Sequence, residues 1–162
     1  MKLNSSFKRS TALKPLIKCF GLVLMFVILT TAAKAQNETK SPHSITFTNA
    51  SFSDALKQAA AQHKYLFIDA YASWCGPCQL LKATTFHNKK AADFYNANFI
   101  NLSIDMEKGE GPQLAQAWGI TAYPTLIVFA PDGKPLLGTM GFMKADDLIR
   151  FGKQAISKAT AN

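Results

Sequence analysis

Cysteine is scarce in this 162-residue chain: Cys19 stands near the N-terminus, and only Cys75 and Cys78 follow. A structural zinc site wants four ligands, and the three histidines, His43, His63 and His87, are not paired with one another, so no zinc signature is assembled. Acid is missing altogether from residues 1–35, which hold six of the 18 Lys and Arg and none of the ten Asp and Glu. The net charge of +8 is therefore local, because residues 36–162 carry 12 basic residues against ten acids, a net +2. Beyond Lys89-Lys90 that part has no basic cluster, which removes the electrostatic footprint of a nucleic-acid-binding protein. A membrane-spanning run is also lacking: the uncharged stretch 19–33 has 15 residues, against the roughly 20 that a helix needs to cross a bilayer.

What residues 1–35 do contain is a basic segment, then the apolar run CFGLVLMFVILTTAA, then Ala33-Lys34-Ala35 with small residues where signal peptidase requires them. This pattern predicts a signal peptide over 1–35, cleavage after Ala35, a mature chain starting at Gln36, and export, to the periplasm if the cell is Gram-negative. An uncleaved anchor over 19–33 is disfavoured by its length. A lipoprotein at Cys19 is disfavoured because Lys18 precedes it and the apolar run follows it. Cleavage would leave 127 residues, enough to bury a core of their own, and only the two cysteines of WCGPC, residues 74–78.

Residues 36–50 read as a polar lead-in, with a short edge strand over 44–48 (SITFT). Residues 51–162 read as one domain. Ser53 is a plausible N-cap for a helix with Ala55, Leu56, Ala59 and Ala60 on one side. YLFIDAYA at 65–72 is a nearly continuous apolar run suited to a central strand buried on both faces, with Asp69 its one charge. A helix is predicted from about Cys75 to Phe86, and a second piece capped by Asn88. A strand over 99–105 follows, then a short helix from Pro112 to Trp118. TLIVFA (125–130), the PDG turn and KPLLGTM form a hairpin, and an amphipathic helix over 144–159 closes the chain. The predicted class is α/β: a mixed central sheet with helices on both faces.

The paired cysteines admit three uses. Zinc lacks further ligands. A purely structural bridge closing so small a loop constrains little chain entropy. Redox exchange accounts for the location as well as the spacing. A cysteine where a buried strand turns into a helix meets unpaired N–H groups and the positive end of the helix dipole, which favour thiolate. Lowering the Cys75 pKa from about 8.5 to about 7 would raise its thiolate fraction at neutral pH from roughly 3% to roughly half. Cys78, one turn on and facing inward, could then resolve a mixed disulfide formed on Cys75. Gly76 and Pro77 allow a tight turn into the helix.

WCGPC directly after an apolar strand resembles the active site of the thioredoxin family, and the likeness extends over about residues 60–158. Asp69 matches the family's buried acid, YPT at 123–125 its cis-proline segment, and Gly141 a glycine near the end of the last strand. The resemblance implies a thioredoxin fold, Cys75 as nucleophile and Cys78 as resolving thiol. It implies that Asp69, with a raised pKa, accepts the Cys78 proton through water. Trp74 would shield the site, and Pro124 would lie against the cysteines, keeping metal away and letting the backbone at Tyr123 pair with a substrate strand. Two positions depart from the family pattern: Ala83 replaces a helix-kinking proline, and Asn101 replaces the lysine near the buried acid. The segment from Asp105 to Pro124 is a few residues longer. These features are similar to exported domains related to the C-terminal domain of the membrane thiol–disulfide interchange reductase.

The expectation is an exported, monomeric thiol–disulfide oxidoreductase without metal or organic cofactor, its redox centre being the Cys75/Cys78 pair. Its partners would be protein disulfides or thiols and a membrane electron donor. Gly76-Pro77 resembles reducing members, but oxidase or isomerase activity and a non-enzymatic peptide-binding scaffold stay open. Trp118, Phe94, Tyr95, Phe99 and Phe129 read as packing. His63 and His87 read as solvated helix ends, and Asp146 and Asp147 as complements to a helix dipole.

Overall fold

The computed structural model describes residues 43–161. The expected signal peptide, Cys19 and residues 36–42 of the lead-in lie outside them. Element order is β1 (Phe47–Thr48), α1 (Phe52–Ala61), β2 (Tyr65–Tyr71), α2 (Gly76–Ala83), a 3-10 turn (Thr85–His87), α3 (Lys89–Asn98), β3 (Phe99–Asp105), α4 (Gly111–Trp118), β4 (Thr125–Phe129), β5 (Pro135–Met140) and α5 (Ala145–Thr160). The strands form one five-stranded sheet in the order β1-β3-β2-β4-β5. β1, β3 and β2 run parallel, while β4 and β5 are antiparallel additions, so the sheet is mixed as predicted.

Period-two alternation along β2 divides the core. Leu66, Ile68 and Ala70 face a layer completed by Ala55 and Ala59 of α1, with Leu114 and Trp118 of α4 against it. Phe67 faces the opposite layer, with Leu81 of α2, Tyr95 of α3, and Leu148 and Phe151 of α5. Asp69 shares the parity of Phe67, so it points to the side that α2 covers. The packing assigned to Phe94, Tyr95, Phe99, Phe129 and Trp118 is what these rings do.

Four of the boundaries that differ from expectation have a local reason. α1 is capped by Ser51, not Ser53: the Asp54 N–H donates to the Ser51 hydroxyl at 3.1 Å. The edge strand shrinks to two residues because the Ile45 N–H donates to the Phe86 carbonyl and the Thr46 N–H to the Asn96 side chain. The helix after the cysteines stops at Ala83. The Thr84 hydroxyl donates back to the Leu80 carbonyl at 2.7 Å, and the Thr85 hydroxyl is drawn to the Met143 carbonyl at 2.6 Å. α4 begins at Gly111 instead of Pro112, and the backbone at Gly111 passes so close to the Asp105 carbonyl oxygen that a Cβ would run into it. Among the described residues no helix is long and apolar enough to cross a membrane.

Candidate active site

β2 ends at Tyr71, and four residues later Cys75 caps α2 in an extended conformation, with Pro77 in the first helical turn. Proline fits there because no intrahelical bond is lost. The Cys78 N–H donates to Cys75 Sγ at 3.2 Å, so the cysteine sulfur takes the place of an N-cap oxygen. The two cysteines form a disulfide, with S–S 2.04 Å and Cα–Cα 5.3 Å. They are buried together with Ala72, and Tyr71 and Tyr123 pack against them. Cys75 is only 3% exposed, so in this oxidised state the leading cysteine is shielded from solvent. Tyr123 supplies part of the cover.

Trp74 is 69% exposed, with its indole edge against Tyr123 at 6.1 Å between ring centroids. Its Nε1–H donates to Glu107 Oε2 at 2.9 Å. Next to it, the Ser73 hydroxyl donates to Asp105 Oδ2 at 2.9 Å and accepts from Lys108 Nζ at 2.8 Å. The loop between β3 and α4 is thereby stapled to the residues that lead into the disulfide. The Tyr123–Pro124 peptide bond is cis, and the Pro124 carbonyl accepts from the Gly141 N–H at 2.8 Å. Gly141 adopts φ +96°, a conformation that favours glycine, between the exposed Met140 and Phe142.

Asp69 is fully buried, and burial pushes its carboxyl up to about 6 against two opposing influences, a 2.8 Å hydrogen bond from the Ser103 hydroxyl and the ammonium of Lys82. Lys82 Nζ stands 3.9 Å from Asp69 Oδ2 and 3.0 Å from the centre of the Tyr71 ring. Lys82 lies four residues after Cys78 on α2, so both project from one face of that helix. The contact with Lys82 thus ties Asp69 to the helix that carries Cys78.

The expectation that this buried acid lacks a lysine partner is overturned. Asn101 does not contact Asp69: its amide donates to the Thr46 carbonyl at 3.2 Å and to Asn96 Oδ1 at 3.3 Å, towards β1. The cation arrives from the helix instead. Sequence reasoning missed Lys82, Ser103 and Glu107. The i,i+4 relation of Cys78 and Lys82 was a usable signal. Ser103 needed the register that sets it opposite Asp69, and Glu107 sits in a loop with no periodicity to read.

Residues 52–156 match the thioredoxin-like domain family. The chain belongs to that family. A Bacteroides thetaiotaomicron protein assigned as a candidate disulphide-isomerase has a solution structure similar to this thioredoxin-like chain: TM-score 0.64 and 39% identity, covering 70% of this chain and 93% of that one. The reduced C-terminal domain of Neisseria meningitidis DsbD is 26% identical with a TM-score of 0.55, covering 64% of this chain and 92% of that domain. Maize protein disulfide-isomerase is 25% identical over 107 residues, 66% of this chain but only 21% of that protein. The chain thus spans about a fifth of the maize protein and nearly all of the two solved chains. The thioredoxin-like fold, the Cys-x-x-Cys disulfide and these relatives support thiol–disulfide oxidoreductase activity.

Proposed function

We propose that the protein is an exported thiol–disulfide oxidoreductase that reduces protein disulfides and is itself recharged by a membrane electron donor. The observation that carries this reading is the disulfide at the mouth of α2, where the sulfur of Cys75 already accepts the Cys78 N–H. On reduction, that N–H and the helix dipole stabilise a Cys75 thiolate. The thiolate attacks a substrate disulfide and expels one substrate thiolate. Cys78 loses its proton to Asp69 and attacks Cys75 Sγ. The second substrate thiolate leaves, and two electrons have moved to the substrate.

Substrate would approach beside Tyr123 and Pro124, with Trp74, Gly76 and Pro77 bordering the sulfurs. Similarity to the DsbD domain supports a redox partner as the source of electrons. The disulfide-isomerase names of two relatives favour isomerase activity as a second reading. Insulin reduction tests the first: Cys75→Ser abolishes turnover, whereas retained turnover contradicts it. Recovery of scrambled ribonuclease without net reductant would favour isomerase activity. Export is tested by the mass of the protein outside the cytoplasm, which should begin at Gln36.

A further inference from the structure

A cleft of about 400 Å³ opens between β1, α2 and β3 and is lined by Phe47, Tyr71, Lys82, Phe86, His87 and Ser103. Two of these, Lys82 and Ser103, are the groups that touch Asp69 Oδ2. Asp69 Oδ1 is buried with no hydrogen-bond partner among the described residues. The Lys82 side chain is 37% exposed, so one side chain joins a fully buried carboxylate to the open cleft.

We propose that Lys82 is a positioning residue of the dithiol site, holding Asp69 as the carboxylate that takes the Cys78 proton and connecting it to solvent through this cleft. The proposal rests on the Cys75/Cys78 cycle and deepens it. In the resolving step the Cys78 S–H bond breaks and its proton passes to Asp69. The sulfur electron pair makes the Cys75–Cys78 bond, and the bond from Cys75 to substrate breaks with its pair leaving on the substrate thiolate. Asp69 then returns its proton to water in the cleft. In the opposite direction Asp69 delivers the proton to the departing Cys78 thiolate, so the device serves either direction of electron flow.

Ser103 and Lys82 both favour the charged form of Asp69 and both line the cleft, and of the two Lys82 is the one that carries charge. β4 sets the apolar Leu126 opposite Asp69, and β3 sets Ser103. Tyr71 lies two residues along β2, and Asp105 acts on Lys82 from the end of β3. His87 lines the cleft from the 3-10 turn. Among the described residues Lys82 is the cation within 4 Å of the carboxylate. Burial lowers the Lys82 pKa against the pull of Asp69 and Asp105.

The test is a carboxyl carbon-13 titration of Asp69 in the oxidised full-length protein, comparing wild type with Lys82→Met and Lys82→Arg. Loss of the cation should raise the Asp69 midpoint by about one pH unit, and arginine should keep it near wild type. A companion measurement follows release of thionitrobenzoate from a mixed disulfide on Cys75. At pH 6 a one-unit rise cuts the ionised fraction, and with it the release rate, about fivefold, and the gap closes above pH 8. If Lys82→Met folds poorly, Lys82→Gln makes the same comparison. A Lys82→Met or Lys82→Gln midpoint indistinguishable from wild type, or a loss of rate equal at every pH, overturns the proposal. The titration needs no turnover, so failure of the insulin assay would sink the oxidoreductase reading separately.

Discussion

A carboxylate buried among apolar side chains costs stability whenever it is ionised, and Asp69 makes that cost measurable. Its folded pKa of about 6 lies above the ordinary 3.8. Below pH 3.8 the group is protonated in folded and unfolded chains alike. Between about 3.8 and 6 the unfolded chain gives up its proton first, so stability falls as pH rises. Above 6 the full penalty, about 3 kcal/mol, is in place. Asp69→Asn should therefore unfold at higher urea than wild type at pH 7, with the difference shrinking towards pH 4. A gap that does not depend on pH would contradict the burial account. Tyr123→Ala should uncover the disulfide, so that dithiothreitol reduces it several-fold faster while insulin turnover falls. An unchanged dithiothreitol rate would mean that Tyr123 does not gate access. The pairing of Cys75 with Cys78, the burial of Asp69 and the cis bond before Pro124 were legible because each sits in or beside a contiguous motif. Lys82 and Ser103 were not, since their contact with Asp69 depends on the phase of α2 and the register of β3 against β2.

Elements were legible where composition alone fixes them. The apolar run of β2 and the amphipathic pattern of α5 specify a strand and a helix without help from the rest of the chain. Boundaries settled by a distant partner were not. Thr85 ends its helix with the aid of Met143, and Ser44 to Thr46 leave the sheet for Phe86 and Asn96. Gly111 looks like any loop glycine in the sequence, yet a Cβ there would run into the backbone of Asp105 and Met106. Gly111→Ala pushes a methyl group into the Asp105 backbone and should cost about 1–3 kcal/mol, read by thermal unfolding. The same change should shift Trp74 fluorescence, because Glu107, which holds the indole, lies in the displaced loop. Wild-type stability in this variant would show that the loop yields without strain.

At the scale of the molecule, the sheet separates two apolar layers and sets the disulfide at the start of α2, beyond the end of its central strand. Exposed large apolar side chains fall at Trp74, Leu80, Met140 and Phe142. Three of the four neighbour groups that form or brace the site: Trp74 precedes Cys75, and Met140 and Phe142 flank the glycine that holds Pro124. The fold therefore concentrates buried charge, sulfur and apolar surface at one end of the sheet, an arrangement suited to receiving an extended disulfide-bearing chain. The measurement that tests this most directly is the pH dependence of Cys75 alkylation in the reduced protein. The rate should follow a thiolate with a midpoint near or below about 7, because the Cys78 N–H and the helix dipole meet that sulfur. A midpoint at the free-thiol value of about 8.5 would contradict the account.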